Sequence, residues 1–321
     1  GVYPRVPWHG ISDIVEDDSA TDSHLDTVLS TVDVGKIRSR RFKVAIDCCN
    51  DSTFRTGPEF LKKLGCEVYE LNTDADKPFP RDPEPTPSSL GALCATVRDT
   101  GADLGFALDA DGDRLGLVDE QGFALDEDCT LALVLQHRLG VTPSNVVVSV
   151  STSSMIEEIA QGFGCSVFRT RVGEVYVLES MHETRSRLGS GGNGGVIDLA
   201  VNPCHDGFVA MAYLLEGLAK QATSLGTLRS RLPRRAIIKK VVPASPREIP
   251  PFLRLIQHLH KDQEMDLTDG VRVLWPDRWL LARGSKTEPV LRIAAEASTE
   301  ADANDLVESV TEYLRPLARG S

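Results

Sequence analysis

The stretch LGFALDADGDRLGLVDE, residues 104–120, places a cluster of acids between two apolar runs. Asp109, Asp111 and Asp113 occupy every second position, and Gly112 lies between the last two. Carboxylates this close together repel one another unless a cation lies among them. The runs on either side are typical of buried strands, so the acids are expected in a loop between two strands.

Three interpretations of this loop compete. A solvated turn between strands commonly contains Asp and Gly. An EF-hand loop would explain Glu120 at the twelfth position, but Arg114 takes the sixth, where such loops have glycine, and the flanks resemble strands. A Mg²⁺ site fits best, because open α/β folds bind ligands at the carboxyl ends of their strands and Mg²⁺ prefers oxygen ligands. Arg114 would then offer a fixed donor fork to phosphate.

Strand-like and helix-like segments alternate on both sides of the acidic loop. The predicted strands are KVAIDC (43–48), CEVYEL (66–71), DLGFAL (103–108), LGLVDE (115–120), NVVVSVS (145–151), SVFRT (166–170) and the end of GSGGNGGVIDL (189–199). The predicted helices cover residues 56–65, 88–100, 126–140, 154–164, 173–183 and 206–222. This alternation predicts βαβ units with largely parallel sheets. The pattern restarts after Thr142-Pro143, which indicates two units.

The order of elements changes from about Pro243. A helix over 247–261, three strands within 270–297 and a last helix from Thr299 to about Leu317 predict a small α+β domain. The expected fold class is therefore α/β, with two three-layer α/β domains that have mixed sheets and a smaller C-terminal α+β domain. The expected ranges are a linker or remnant of a missing first domain (1–38), a metal-binding domain (39–140), a sugar-recognition domain (141–242) and a phosphate-binding domain (243–321).

Composition narrows the classes of partner. The 47 acids and 35 bases give a net charge of −12, which argues against a nucleic-acid partner. The seven cysteines are scattered without a C-x-x-C pair, so reduced thiols in a cytoplasm are expected rather than a zinc site or a disulfide framework. No apolar run approaches the roughly 20 residues of a membrane span, and no membrane partner is expected. A homo-oligomer is compatible with the sequence.

A second group of polar residues lies in ARGSKTEPVLR, residues 282–292. Two cations and two hydroxyls gather around a glycine between predicted strands, at Arg283, Ser285, Lys286 and Thr287. Charge-assisted donors of this kind suit a phosphate dianion. A plain hairpin turn with a salt bridge to Glu288 is the alternative.

Two further segments could approach a ligand through their backbone. GSGGNGGVI (189–197) has five glycines within residues 189–195, which permits close contact with a ligand but is also typical of a flexible surface loop. TRVGEVYV (170–177) reads as a strand-to-helix turn whose N–H groups are available at the helix start.

In this order and spacing, the segments resemble signature motifs of the phosphohexomutase superfamily, the phosphoglucomutases, phosphomannomutases and phosphoglucosamine mutases. The matching segments are PEPTP (83–87), DADGDR (109–114), TRVGEVYV (170–177), GGNGGVI (191–197), HDG (205–207) and RGSKTEP (283–289). The resemblance runs from about His24 to the C-terminal helix. It implies a four-domain enzyme in which a phosphoserine exchanges phosphoryl groups with a hexose or hexosamine 1- or 6-phosphate, through a bisphosphorylated sugar.

The resemblance also implies roles for single residues. Mg²⁺ would be held by Asp109, Asp111 and Asp113, and Arg114 would act in catalysis beside the phosphoserine. Substrate-binding residues would be Gly173, Glu174, Gly191, Asn193 and His205 at the sugar and Arg283, Ser285, Lys286 and Thr287 at its non-reacting phosphate.

Two departures from the family pattern stand out. The family's Thr-Ala-Ser-His-Asn-Pro type of loop is missing, since the only Ser-His pair is Ser23-His24 and Leu-Asp follows it. The serine domain is therefore expected to be absent from this chain, and the chain alone is expected to be inactive. In the sugar loop, Gly191 stands where many relatives have a sugar-binding Glu, and His205 where they have Arg. Gly191→Glu is accordingly predicted to raise activity once a first domain is supplied. A divergent, non-catalytic sugar-phosphate-binding module is the alternative.

Overall fold

The computed structural model describes residues 5–15 and 19–314 of the chain. Its helices are α1 (Ser19–Ser30), α2 (Val34–Arg40), α3 (Thr56–Lys63), α4 (Gly91–Thr100), α5 (Asp128–Val141), α6 (Met155–Gly162), α7 (Glu174–Thr184), α8 (Gly207–Gln221), α9 (Leu225–Ser230), α10 (Ile249–Leu259) and α11 (Glu300–Thr311). Its strands are β1 (Lys43–Asp47), β2 (Glu67–Leu71), β3 (Leu104–Leu108), β4 (Leu115–Val118), β5 (Val146–Ser149), β6 (Val167–Thr170), β7 (Leu188–Ser190), β8 (Ile197–Asp198), β9 (Ala236–Pro243), β10 (Glu264–Asp266), β11 (Val271–Leu274), β12 (Trp279–Gly284) and β13 (Val290–Ala297). Short 3₁₀ turns cover Trp8–Gly10, Pro87–Ser89 and Glu312–Leu314.

The first two sheets share one topology. The first has the order β2-β1-β3-β4, and the second has the order β6-β5-β7-β8. Strand β1 in the first sheet and strand β5 in the second pair in parallel with both of their neighbours. The last strand of each sheet, β4 or β8, is an antiparallel edge strand. Buried apolar strands joined by helices produce this arrangement, because parallel strands need a crossover connection. The predicted α/β class with mixed sheets is confirmed.

Helices α5 and α8 lie between these two sheets and belong to one continuous core. Both helices are buried on almost every face, as expected for helices that are apolar all round. Helix α8 packs against α1, α2, α5 and strand β4 of the first sheet. The two α/β units are therefore joined through shared helices.

Residues 1–38 were expected to be a linker or the remnant of a missing first domain, and much of this range is helical. Residues 19–30 and 34–40 form helices α1 and α2, and their side chains Leu25, Val28 and Ile37 are at most 1% exposed in the shared core. The few apolar residues of these helices fall on one face, and burying that face stabilises the helices. Residues 1–4 and 16–18 lie outside the described part.

The third sheet is antiparallel throughout, with the order β10-β11-β12-β13-β9 and helices α10 and α11 packed on it. The expected α+β character is confirmed. Strand β9 was not predicted, and it pairs with β13 over eight residues, so a boundary after residue 242 cuts a strand of this sheet. The last helix ends at Thr311 rather than near Leu317, and residues 315–321 lie outside the described part.

The third sheet is attached to the second unit by a buried carboxylate. Glu296 on β13 is fully buried and accepts hydrogen bonds from Trp279 Nε1 at 3.0 Å, from Ser154 N at 3.1 Å and from the Ser153 and Ser154 hydroxyls. These serines immediately precede helix α6, where the helix dipole favours an anion. No helix in the described ranges has the length and apolar content that crossing a bilayer would need. All seven cysteines are free thiols.

Candidate active site

The acidic loop follows strand β3 and leads directly into the antiparallel edge strand β4. Each of Asp109, Asp111 and Asp113 offers an oxygen, and these oxygens lie within 4.8 Å of one another. Asp109 is 6% exposed, and Asp113 Oδ1 is buried without a hydrogen-bond partner among the described residues. Oxygen-only donors with an unsatisfied buried oxygen fit a hard divalent cation. The EF-hand alternative is wrong, because strands rather than helices flank the loop.

The pKa of Asp109 reflects its burial first and the neighbouring acids second. Burial, followed by the neighbouring Asp113 carboxylate, raises the pKa of Asp109 to about 8, although the backbone N–H of Arg114 donates to its Oδ1 at 3.0 Å. A cation among the three carboxylates would reverse this shift, since it favours their charged forms.

Arg114 lies beside the acids rather than pointing away from them. Its guanidinium pairs with Glu84, and its Nε lies 3.7 Å from Asp109 Oδ2 and 3.5 Å from Asp113 Oδ1. Glu84 belongs to the PEPTP segment, and its ion pair with Arg114 was not predicted from the sequence. The sequence signal for this pair is the position of Glu84 between Pro83 and Pro85, where a charged side chain is held on a restricted backbone. The Arg114 side chain is 29% exposed, so part of its donor fork stays open.

The acidic loop and the glycine loop (residues 191–196) are in backbone contact. Arg114 and Gly195 form an antiparallel bridge, and Leu115 N donates to Gly194 O at 3.1 Å. The start of helix α8 holds the same acidic loop, since Gly207 N donates to Gly112 O at 3.0 Å. Gly194 has φ +83°, and a Cβ there would lie 2.8 Å from Leu115 O. Only glycine permits this approach, so this part of the loop is not simply a flexible surface turn.

His205 lies beneath the glycine loop and faces two carboxylates. Its ring Nε2 accepts the backbone N–H of Gly191 at 2.9 Å, and the backbone N–H of His205 donates to Glu174 Oε1 at 2.9 Å. Nδ1 lies 3.6 Å from Glu174 Oε2 and 3.9 Å from Asp113 Oδ2. Burial lowers the pKa of His205, which favours the neutral ring, although both carboxylates act in the opposite direction.

These contacts decide what His205 can do. A neutral ring that accepts at Nε2 carries its proton on Nδ1, so Nδ1 is a donor. Asp113, Glu174 and His205 also bring ligand atoms within 4.8 Å of one another, but a protonated Nδ1 does not bind a metal ion. His205 therefore offers a hydrogen bond beside the acids.

Gly191 and His205, two separate departures in the sequence, are neighbours in space. A Cβ at Gly191 would lie 3.0 Å from His205 Cε1, so the imidazole fills the space beside this position. Asn193 in the same loop accepts from Lys239 Nζ at 3.0 Å, and Lys239 also pairs with Glu127. The sequence did not predict this hydrogen bond between Lys239 and Asn193, because it did not predict strand β9.

The predicted phosphate loop joins strands β12 and β13. Lys286 Nζ lies 4.2 Å from the centre of the Tyr176 ring, and burial lowers the pKa of Arg283. Neither cation has a carboxylate within ion-pair distance among residues 5–15 and 19–314, whereas Glu288 pairs with Arg292 at 2.6 Å. On the same turn, Ser285 is half-buried and Thr287 is exposed. The loop thus presents two unpaired cations and two hydroxyls.

The segment 170–177 lies between the two groups of residues. Gly173 precedes helix α7 with φ +136°, and Glu174 then reaches His205. Tyr176, two residues further on, lies under Lys286. One short segment therefore contacts both the histidine beside the acids and the cationic turn of the third sheet.

Comparison with known proteins agrees with this geometry. Two family models match the chain, the phosphoglucomutase/phosphomannomutase α/β/α domain II over residues 22–122 and domain III over residues 126–236. A protein described as a probable phosphoglucosamine mutase from Methanopyrus kandleri is 34% identical over 98% of this chain and 69% of the relative. A phosphoglucomutase/phosphomannomutase from Thermococcus kodakarensis is 31% identical over 99% of this chain and 70% of the relative.

A solved structure supports the same assignment. The crystal structure of a phosphoglucomutase/phosphomannomutase family protein from Burkholderia thailandensis matches with a TM-score of 0.79 at 27% identity, over 94% of this chain and 65% of that one. The chain thus spans about two thirds of the length of these proteins. With both family models matched in order and 98% of the chain aligned to the M. kandleri relative, the chain belongs to the phosphoglucomutase/phosphomannomutase family of the phosphohexomutase superfamily.

Proposed function

We propose that the chain forms domains two to four of a phosphohexomutase. Such an enzyme interconverts hexose or hexosamine 1- and 6-phosphates through a phosphoserine and a bisphosphorylated sugar. The observation that carries the proposal is the backbone contact between the acidic loop and the glycine loop, with His205 and Glu174 beside it. It brings a candidate metal site and a candidate sugar site within reach of one ligand.

Asp109, Asp111 and Asp113 are the proposed Mg²⁺ ligands. Asp113 Oδ1, which is buried without a hydrogen-bond partner among the described residues, and the raised pKa of Asp109 both support a cation at this point. When bound, Mg²⁺ would neutralise the charge on a transferring phosphoryl group. Arg114, whose Nε lies 3.5 Å from Asp113 Oδ1, would orient the phosphoryl oxygens.

The sugar and its second phosphate are assigned to other residues. Glu174, Asn193 and His205, together with the backbone at Gly173 and Gly191, would hydrogen-bond the sugar hydroxyls. Arg283, Ser285, Lys286 and Thr287 would hold the non-reacting phosphate. Binding energy gained at that remote phosphate would position the reacting one.

The isolated chain is proposed not to turn over sugar phosphates, because the exchange needs a phosphorylated nucleophile that faces the metal. The 321 residues contain no Ser-His-Asn-Pro loop to supply it. A non-catalytic sugar-phosphate-binding module is the second candidate, and the contact between Gly191 and His205 favours it, since that contact replaces a sugar-binding carboxylate. The seven free thiols support a cytoplasmic location, and the oligomeric state stays a prediction.

Binding of glucose 6-phosphate and glucosamine 6-phosphate to the chain, measured calorimetrically with Mg²⁺ present, tests the proposal. Arg283→Ala removes a charge-assisted contact and should weaken binding by roughly 1.5–3 kcal/mol. Arg278→Ala, at the other end of strand β12, is the control and should leave binding unchanged. Equal affinities of wild type and Arg283→Ala would mean that the turn is a plain hairpin and does not bind the phosphate.

Turnover separates the two candidates. The first domain of a relative, added in trans, should restore conversion of 1- to 6-phosphates if the chain is a mutase. Tight binding without turnover in that mixture would favour the binding module.

A further inference from the structure

Arg81 is a buried arginine in the proline-rich loop that the sequence did not single out. Its side chain is 7% exposed, and its guanidinium uses all five N–H donors. Nε and Nη2 donate to the two oxygens of Asp47 at 3.1 and 3.2 Å, and Nη2 also donates to Leu108 O at 2.7 Å. Nη1 donates to Asp82 O at 2.9 Å and to Pro83 O at 3.0 Å.

The acceptors of Arg81 surround the acidic loop. Leu108 is the last residue of β3 and immediately precedes Asp109. Asp82 and Pro83 lead into Glu84, whose carboxylate pairs with Arg114 at the far end of the loop. The Arg81 guanidinium thus fixes the backbone at Leu108, just before the first acid. It also fixes the loop that carries Glu84, which pairs with Arg114 just after the last acid.

The third anchor is itself immobilised. Asp47, at the end of β1, is 1% exposed and also accepts from Asn72 Nδ2 at 2.8 Å and from Cys49 N at 2.9 Å. A carboxylate held by four donors offers a fixed reference for the arginine that it binds. It also neutralises the Arg81 charge, which would otherwise oppose a cation near the acids.

We propose that Arg81 is a positioning residue for the metal loop, which it holds so that the three carboxylates converge before a cation arrives. The inference rests on the proposed Mg²⁺ site. Groups that orient the ligands of a metal typically contribute about ten- to a hundredfold to its affinity. Lysine has a charge but only three donors and no planar fork, so it cannot replace the five contacts.

The second unit contains a matched arginine, Arg169, which holds a carboxylate in the same way but lies outside the cluster of Asp109, Asp111 and Asp113. Arg169 is 11% exposed, binds both oxygens of Glu157 at 2.7 and 2.9 Å, and donates to three backbone carbonyls at the end of β5. Those carbonyls belong to Ser149, Thr152 and Ser153. If both arginines are purely structural, their substitution should affect Mg²⁺ affinity equally. The proposal predicts that only substitution of Arg81 weakens Mg²⁺ binding.

Arg81→Lys and Arg169→Lys are therefore compared for thermal stability and for Mg²⁺ affinity by calorimetry. Both substitutions should lower Tm, and only Arg81→Lys should weaken Mg²⁺ binding, by about ten- to a hundredfold. Unchanged Mg²⁺ affinity in Arg81→Lys, or an equal loss in both variants, would overturn the inference.

Two further outcomes are informative. If wild type and Asp47→Asn alike bind no Mg²⁺, the proposed metal site fails and the positioning role fails with it. If Arg81→Lys does not fold, Asp47→Asn and its counterpart Glu157→Gln replace the pair, since each removes one charged anchor with little change of shape. The role then requires that only Asp47→Asn weakens Mg²⁺ binding, and equal affinities would contradict it.

Discussion

The first and second sheets have the same strand order, yet the loops at equivalent places in them have opposite compositions. In each sheet this loop joins the third strand to the antiparallel edge strand. Residues 109–114 carry three acids and one glycine, whereas residues 191–196 carry four glycines and no acid. In both units a largely buried arginine holds the end of the strand that pairs in parallel with two neighbours, Arg81 at β1 and Arg169 at β5.

The two loops are in contact, and the composition of each one suits that contact. Acids that repel one another need a cation, and a backbone that approaches them closely needs residues without side chains. The Gly194 carbonyl accepts from Leu115 N just after the acids, at 3.1 Å. The repeated scaffold thus determines where the loops lie, and the residues in each loop determine its chemistry.

The largest expected effect separates the two loops by their affinity for a cation. Asp113→Asn removes a charged oxygen donor and should weaken Mg²⁺ binding by more than the roughly hundredfold upper range for groups outside the coordination shell. Asn193→Gly, in the glycine loop at φ +58°, should leave Mg²⁺ affinity unchanged. Calorimetric titration of both variants measures this, and full Mg²⁺ affinity in Asp113→Asn would contradict the assignment.

A second prediction concerns what the two units share. Glu216 on α8 lies 2.5 Å from His137 Nε2 on α5 and 2.8 Å from Lys220 Nζ, and it accepts from Asp33 N. Burial alone would raise the pKa of Glu216, but these hydrogen bonds lower it to about 2. Because the folded pKa lies below the unfolded value, Glu216 stabilises the fold above about pH 4.5, and this stabilisation is lost as the pH falls toward 2.

Glu216→Gln should therefore lower the free energy of unfolding at pH 7 by about 3 kcal/mol. The variant should also show a shallower loss of stability between about pH 4.5 and 2. Urea unfolding followed at several pH values measures both. An unaltered pH dependence in the variant would mean that the shared helices do not depend on this carboxylate.

The sequence predicted the fold class because the apolar strands and the intervening helices differ clearly in pattern. Strand β9 was missed because it is a half-exposed edge strand that contains Lys239 and Lys240, and such strands lack the apolar run of a central one. Helices α1 and α2 were missed because charged residues outnumber their few buried ones. Their stability comes from packing against α8, which no local pattern reveals.

The residues of the candidate site likewise divide into those that the sequence predicted and those that only the tertiary structure brings together. The three acids could be found because their closeness in the sequence is already closeness in space. The contacts of His205 with Gly191 and of Arg114 with Glu84 join residues 14 and 30 positions apart, so the tertiary fold alone brings them together. The tautomer of His205, which decides between ligand and donor, follows from one backbone N–H that no motif records.

A third prediction measures the close approach of the two loops. Gly192 and Gly194 both have left-handed φ, +93° and +83°, but a Cβ would lie 3.6 Å from its nearest neighbour at Gly192 and 2.8 Å from Leu115 O at Gly194. Gly192→Ala should cost only the backbone strain, about 1–2 kcal/mol. Gly194→Ala should cost about 1 kcal/mol more, since it also disturbs the bond from Leu115 N. Urea unfolding compares them, and equal losses would mean that the approach has no energetic role.

The smallest effect is expected where the sequence alone predicts a gain, at Gly191→Glu. A new carboxylate there was expected to replace a sugar contact worth roughly 1.5–3 kcal/mol. However, its Cβ would lie 3.0 Å from His205 Cε1, and the imidazole holds the Gly191 N–H at 2.9 Å. The single substitution must displace the His205 ring, which neighbours Glu174. The contact that the new carboxylate adds to the sugar is therefore offset by the loss of the contacts that His205 makes. We expect hexose 6-phosphate affinity to change by less than about 1 kcal/mol in Gly191→Glu, because contacting positions couple. His205→Ala frees the space, so Gly191→Glu made in that background should improve binding. A gain as large in the single variant as in the pair would mean that the histidine and the glycine act independently.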